Sequence, residues 1–260
     1  MGTVIIIPAR FPSQRFPGKP LQPLRGATGV AKTLLQRTHD VALRVPGIDA
    51  VYIATDDERI AEHADTFGAK VLMTSDQCRN GTERCEDSLD KLPSEPDLVV
   101  NLQGDAPLTP AHFVTELIDG IGDAAVATPA LLCDDETLSR FRQDRAAGRV
   151  GGTTAVMTRA GRALYFSKEV IPYVADDKPA PPVYHHVGLY AYRPAALRQY
   201  VGFEPGPLET HEGLEQLRFL ENGIDVQCVT VESRQSMFWE VNNPEDVPRV
   251  EAALAKLGIE

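Results

Sequence analysis

An α/β fold with a mostly parallel sheet flanked by helices is predicted by three observations. Short, largely apolar runs recur: Val4-Ile5-Ile6-Ile7, which is wholly apolar, Ala50 to Thr55 and Asp97 to Leu102. Such runs read as strands buried on both faces. Stretches of helical periodicity separate them, which points to right-handed βαβ units. A polar or glycine-containing turn follows each run, and in open α/β sheets ligands sit beyond the carboxyl ends of the strands.

The elements follow in order. Pro8 stops the first run, since proline brings no N–H to a sheet ladder. A loop with Arg10, Arg15 and Lys19 comes next, shaped by Gly18 between Pro17 and Pro20. Arginine forks and a lysine point charge suit phosphate oxygens, with a basic surface loop as the alternative. Val30 to Leu43 reads as a helix, Ala50 to Thr55 as a strand, Asp57 to Phe67 as a helix and Lys70 to Met73 as a third strand. Asn80-Gly81 marks a turn opening a helix to about Leu92, with Thr82 as a candidate cap. Asp97 to Leu102 runs into Gln103-Gly104-Asp105. A carboxylate there either holds a divalent cation or caps the turn.

Ala124 to Pro129 reads as a fifth strand and Cys133 to Arg149 as a short helix with a surface loop. Lys178 to Val183 is a proline-rich link, and Val183 to Tyr192 a strand. Leu208 to Asn222 reads as one helix, stopped by Gly223. Val226 to Val231 is the last strand, and Pro244 to Leu257 a closing amphipathic helix.

Bulk properties set limits. The chain has 260 residues, a net charge of −11, 43% hydrophobic and 24% charged residues. That is enough chain for a proper core without staples. The negative charge argues against general nucleic-acid binding and against a polybasic membrane surface. No apolar run approaches the roughly 18 residues of a spanning helix, so no membrane association is expected. No signal segment is visible, and a cytoplasmic location is expected. Cys78, Cys85, Cys133 and Cys228 fit no zinc or redox spacing and read as free thiols.

Residues Pro8 to Leu21 carry the pattern P-A-R-x-x-S-x-R-x-P-G-K-P-L. This resembles the opening of the sugar-acid cytidylyltransferases, and specifically the 3-deoxy-manno-octulosonate (Kdo) cytidylyltransferase, or CMP-Kdo synthetase, family. The resemblance extends from Val4 to Val247 and is poorest between about 131 and 160. Asn80-Gly81-Thr82-Glu83-Arg84 is similar to the family's S-G-T-x-R, and Gln103-Gly104-Asp105-Ala106-Pro107 to Q-G-D-E-P. Ala163 to Lys168 resembles A-L-Y-F-S-R, and the Leu214 to Arg218 segment matches L-E-Q-L-R. The departures are Asn80 for Ser, Ala106 for Glu, Lys168 for Arg, and Asn242 where the family's G-x-D-T-P-E-D has its first Asp.

The resemblance implies a nucleotide-diphospho-sugar transferase type of fold: one Rossmann-like domain over 1–260, with an excursion at about 150–205 forming an acceptor and dimer lobe. It implies CTP and a small acidic sugar as substrates, Mg2+ as cofactor, a homodimer, and a role in making lipopolysaccharide or another surface glycan. Arg10, Arg15, Lys19 and Asp105 would be catalytic. Pro8, Ala9, Arg10, Arg15, Lys19, Asn80, Gly81, Thr82, Arg84 and Gln103 would bind the nucleotide. Gln103, Lys168, His186, Tyr190, Glu215 and Gln216 would hold the acceptor, and Asp105 and Asn242 the metal. Glu240, two residues from Asn242 on an extended strand, faces the same side and can supply the missing charge. Three readings stay open: transfer of CMP to Kdo; the same chemistry on 8-amino-Kdo, another ulosonic acid or a phosphonate; and a nucleotide- or sugar-binding module without turnover.

Overall fold

The structure is a computed structural model and describes residues 2–12, 16–150, 152–173, 181–234, 238–241 and 243–260. The chain forms two compact units: Met1–Thr115 with Ser233–Glu260, and Glu116–Glu232.

The first unit opens with β1 (Thr3–Pro8), buried except at its last residue. Pro8 belongs to the strand, pairing in register with Ala54. Its neighbour Ala9 donates to Ala54 O at 2.9 Å, so Pro8 turns its missing donor the other way. On that side pairing has already ended at Ile6 opposite Asn101, and no ladder bond is lost. A hairpin follows, β2 (Pro23–Arg25) with β3 (Ala31–Thr33). The helix expected from Val30 therefore starts later, as α1 (Leu34–Leu43), because the Thr33 side chain accepts from Gln36 N and caps it there. β4 (Ala50–Thr55), α2 (Glu58–Asp65, capped by Asp57) and β5 (Lys70–Met73) follow. α3 (Gly81–Leu89) is capped by Asn80 and not by Thr82: Asn80 Oδ1 accepts from Glu83 N at 2.8 Å, and Thr82 is buried within the first turn. β6 (Leu98–Leu102) is fully buried. The order β5-β4-β1-β6 is parallel throughout. α4 (Ala111–Gly120), which the sequence reading does not assign, contains the boundary between the units.

The second unit contains β7 (Val126–Leu132), α5 (Asp135–Ala146), β8 (Thr154–Met157), β9 (Ala163–Ser167), β10 (Tyr184–His186), β11 (Leu189–Tyr192), α6 (Pro194–Val201), α7 (Pro207–Glu212), α8 (Leu217–Glu221) and β12 (Val226–Val231). Its pairing is mixed. β7 runs parallel to β12 and antiparallel to β10 and β11, while β8 lies antiparallel between β9 and β10. The β8–β9 hairpin needs no helical crossover, so its strands reverse.

Two expected elements are broken here. The strand expected over Val183 to Tyr192 splits at Val187-Gly188, opposite Pro129. Pro129 cannot donate, and the Thr128 hydroxyl bonds instead to Val187 O (3.1 Å) and Leu189 O (2.8 Å). The helix expected over Leu208 to Asn222 splits at Gly213, whose φ of 62° is left-handed and ends α7. Residues 178–180 of the link expected over Lys178 to Val183 lie outside the described residues.

The chain returns to the first unit, where the closing helix begins as a single 3-10 turn at Pro244–Asp246 and continues as α9 (Val247–Leu257). Val250, Ala253 and Leu254 of α9 pack with Leu24, Leu34, Leu108 and Val241 into one buried cluster. All four cysteines are free thiols, and among the described residues no helix is long and apolar enough to cross a membrane.

Candidate active site

In the first unit the expected nucleotide residues gather at the carboxyl ends of β1 and β6 and at the start of α3. Ala9 is buried, while Arg10 is exposed. The loop after them closes on itself: Gly18 N donates to Phe11 O at 3.1 Å, and a Cβ on Gly18 would stand 3.2 Å from the Phe11 ring. The Arg59 guanidinium lies 3.4 Å from the centre of that ring, a cation–π contact that pins the loop. Arg15 lies outside the described residues.

Lys19 opens a 3-10 turn, and its Nζ meets Asp105 Oδ2 at 2.6 Å. Both side chains are mostly sheltered, with 18% and 24% of their surface exposed, so their charges offset one another in a setting less screened than bulk water. Val241 N donates to Asp105 O at 2.9 Å, which brings the segment leading to Asn242 beside Asp105. Asn242 itself lies outside the described residues.

Two glycines, Gly104 and Gly81, let the turns draw together. A Cβ on Gly104 would stand 2.8 Å from Pro8 O. A Cβ on Gly81 would meet Gln103 Nε2 at 2.9 Å, Asn101 Nδ2 at 3.1 Å and Pro8 Cγ at 3.3 Å. Only glycine lets the Asn80-Gly81 turn rest on the Asn101 and Gln103 amides. Asn101, to which the sequence reading assigns no role, is fully buried, and among the described residues neither Oδ1 nor Nδ2 has a hydrogen-bond partner. Arg84 turns inward, to Thr74 Oγ1 at 2.5 Å and Asp56 at 3.1 Å, and so ties α3 to the ends of β4 and β5.

In the second unit the expected acceptor residues also gather. His186, on β10, packs edge-on against Phe166 at 5.0 Å and beside Tyr190 at 5.5 Å. Burial pushes its pKa down to about 3, and its Nε2 has no hydrogen-bond partner. The imidazole is therefore neutral near pH 7, so any contact it offers is a hydrogen bond and not a charge. The Tyr190 hydroxyl donates to Gln216 Oε1 at 3.1 Å, leaving the buried Gln216 Nε2 unpartnered. Glu215 is half-buried, and its carbonyl accepts from the Tyr200 hydroxyl at 3.2 Å. Lys168 follows β9, with its ammonium 2.9 Å from where a Cβ on Gly213 would be.

The donor set fits magnesium. This ion keeps several waters and takes one or two carboxylates together with phosphate oxygens, not an all-protein cage. Asp105 beside a cationic loop meets that requirement, and among the described residues no cluster of three metal-binding side chains occurs.

Residues 4–226 match the model of the cytidylyltransferase family. The chain is 43% identical over 261 residues to the 3-deoxy-manno-octulosonate cytidylyltransferase of Maricaulis maris (strain MCS10), covering 99% of each chain. It is 39% identical over 252 residues to the mitochondrial enzyme of that name from Arabidopsis thaliana, covering 96% of this chain and 82% of the relative. Among solved structures it resembles CMP:2-keto-3-deoxy-manno-octonic acid synthetase complexed with CTP, at 32% identity, a TM-score of 0.85, and coverage of 99% and 100%. The expected α/β fold of the nucleotide-diphospho-sugar transferase type is thereby shared with a solved relative. The chain belongs to the cytidylyltransferase family and, within it, to the 3-deoxy-manno-octulosonate cytidylyltransferases.

Proposed function

We propose that the protein transfers CMP from CTP to the anomeric hydroxyl of Kdo, releasing pyrophosphate. The observation that carries this reading is the full-length likeness to Kdo cytidylyltransferases, 43% identical across 99% of the chain. The acid's hydroxyl oxygen forms a new bond to the α-phosphorus of CTP. The bond from that phosphorus to the bridging oxygen breaks, pyrophosphate takes the electron pair, and the hydroxyl proton is lost.

The chain's contribution is positioning and charge neutralisation. Arg10, Arg15 and Lys19 hold the triphosphate. The Asn80-Gly81-Thr82 turn and Gln103 receive the nucleoside, with Arg84 fixing the turn from beneath. Lys168 pairs with the acid's carboxylate, while His186, Tyr190, Glu215 and Gln216 hydrogen-bond its hydroxyls. Asp105 and Asn242 would hold Mg2+, which supplies charge neutralisation on the phosphates when bound. A homodimer, a cytoplasmic location and a role in lipopolysaccharide or other surface-glycan synthesis follow from the family resemblance as part of this proposal.

Lys168 favours keeping a second acid in view. It offers a point charge where the family's arginine offers a two-pronged fork, so a different acid geometry can be selected. Pyrophosphate release from CTP with Mg2+, across Kdo, 8-amino-Kdo, sialic acids and small phosphonates, tests both. Release with Kdo is the expected result. Release only with another acid moves the substrate and keeps the chemistry. CTP binding without turnover on any acid overturns the catalytic reading.

A further inference from the structure

Three donors from the end of β9 converge on one carboxylate at the end of α7. The Ser167 hydroxyl donates to Glu212 Oε1 at 2.6 Å, the Lys168 backbone N–H to Oε2 at 2.9 Å, and the Tyr165 hydroxyl to Oε1 at 3.4 Å. Ser167 is 3% exposed and its Oγ also accepts from Glu169 N at 3.0 Å, so the hydroxyl is held at both ends. Glu212 is thus occupied by uncharged groups of the strand. The ammonium of Lys168 takes part in no ion pair and no hydrogen bond among the described residues, although this carboxylate binds its own backbone.

A lysine and a glutamate so placed ordinarily pair when nothing else claims the carboxylate. Here Ser167 claims it. The ammonium rests instead over Gly213. That residue adopts φ 62°, and a Cβ there would come within 2.9 Å of Lys168 Nζ. The flexible tip of the lysine is the group that would yield, so the missing Cβ sets where the charge stands.

We infer that Ser167, Glu212 and Gly213 are positioning residues that keep the Lys168 ammonium unpaired and stationed for the carboxylate of the acceptor acid. This rests on the reading of Lys168 as an acceptor-binding group. In Ser167→Ala, Glu212 loses its shortest contact and turns to the Lys168 ammonium. The acid must then break an internal ion pair in order to bind.

Two-substrate kinetics of Ser167→Ala, Gly213→Ala and the double variant Ser167→Ala/Glu212→Gln provide the test. Each single variant is expected to raise KM for the acid about tenfold, the scale of one charge-assisted contact, and to leave KM for CTP unchanged. The double variant removes the competing charge, so its KM for the acid returns toward the wild-type value. A merely structural role would not produce that rescue. An equal rise in KM for CTP, or a double variant no better than Ser167→Ala, overturns the inference. If the wild-type protein turns over no acid, the acceptor reading fails by itself. Crystal structures of Ser167→Ala then decide the positioning claim: a Lys168–Glu212 ion pair supports it, and an unmoved Lys168 contradicts it.

Discussion

Lys19 and Lys168 carry the same ammonium in opposite circumstances. Lys19, in the first unit, is already paired, 2.6 Å from Asp105. Lys168, in the second, is left without a carboxylate, because Ser167 and its own backbone N–H occupy Glu212. On the proposed reading, a ligand phosphate competes with this internal ion pair for Lys19 and frees Asp105 as it binds. On the same reading, a ligand carboxylate meets a charge at Lys168 that forms no ion pair among the described residues. The first arrangement couples cation, carboxylate and nucleotide charge. The second is preset, and its selectivity lies in where a single point charge stands.

The largest effect should come from the first arrangement. Lys19→Ala or Asp105→Ala is expected to lower kcat/KM by about 10²–10³-fold, the scale of losing one preorganised electrostatic contact to a developing charge. Steady-state pyrophosphate release checks it, and a variant within twofold of wild type would mean that the pair serves structure alone. Next comes Lys168→Ala. Losing one charge-assisted contact of about 2 kcal/mol corresponds to about a 30-fold higher KM for the acid. Kinetics at saturating CTP measure it.

Gly81→Ala sharpens the contrast from the nucleotide side. The new Cβ would stand 2.9 Å from Gln103 Nε2 and 3.1 Å from Asn101 Nδ2, so these amides or the turn must shift. KM for CTP is expected to rise with KM for the acid little changed, and stability to fall by about 1–3 kcal/mol. Calorimetric titration with CTP and urea unfolding report the two effects.

The last effect concerns pH and leaves activity near pH 7 untouched. His186 has a folded-state pKa of about 3, below the unfolded value near 6.5. Between those values the unfolded chain binds the extra proton. Stability therefore falls as pH drops from about 6.5 toward 3, and is unaffected by this group above that window. Urea midpoints taken across the window, for wild type and His186→Phe, should show a shallower acid loss in the variant.

Much of the first unit is legible in sequence. β4 and β5 there, like β12 in the second unit, begin and end where their runs do, because each run is bounded by polar or glycine-containing turns. The cationic loop and Asp105 stand out because they follow buried strands, and Asn80-Gly81 because it is a turn dipeptide ahead of a helix. Other features depend on contacts between distant residues. Val30 has helical spacing but is 56% exposed, since the β2–β3 hairpin holds the segment before it. Gly213 sits inside a periodic helical pattern, and only its left-handed backbone shows that two helices meet there. Ser167 and Glu212 are 45 residues apart, and Lys19 and Asp105 are 86 apart. No spacing rule connects such pairs. Asn101 reads as one polar residue in an apolar strand, and only its buried, unpartnered amide marks it out.

The most direct measurement is a two-substrate KM comparison of Lys19→Ala and Lys168→Ala, with CTP and Kdo each varied at a fixed level of the other. The account predicts that Lys168→Ala raises KM for Kdo and spares KM for CTP, while Lys19→Ala weakens use of CTP and spares KM for Kdo. Equal effects of both variants on both substrates would contradict it.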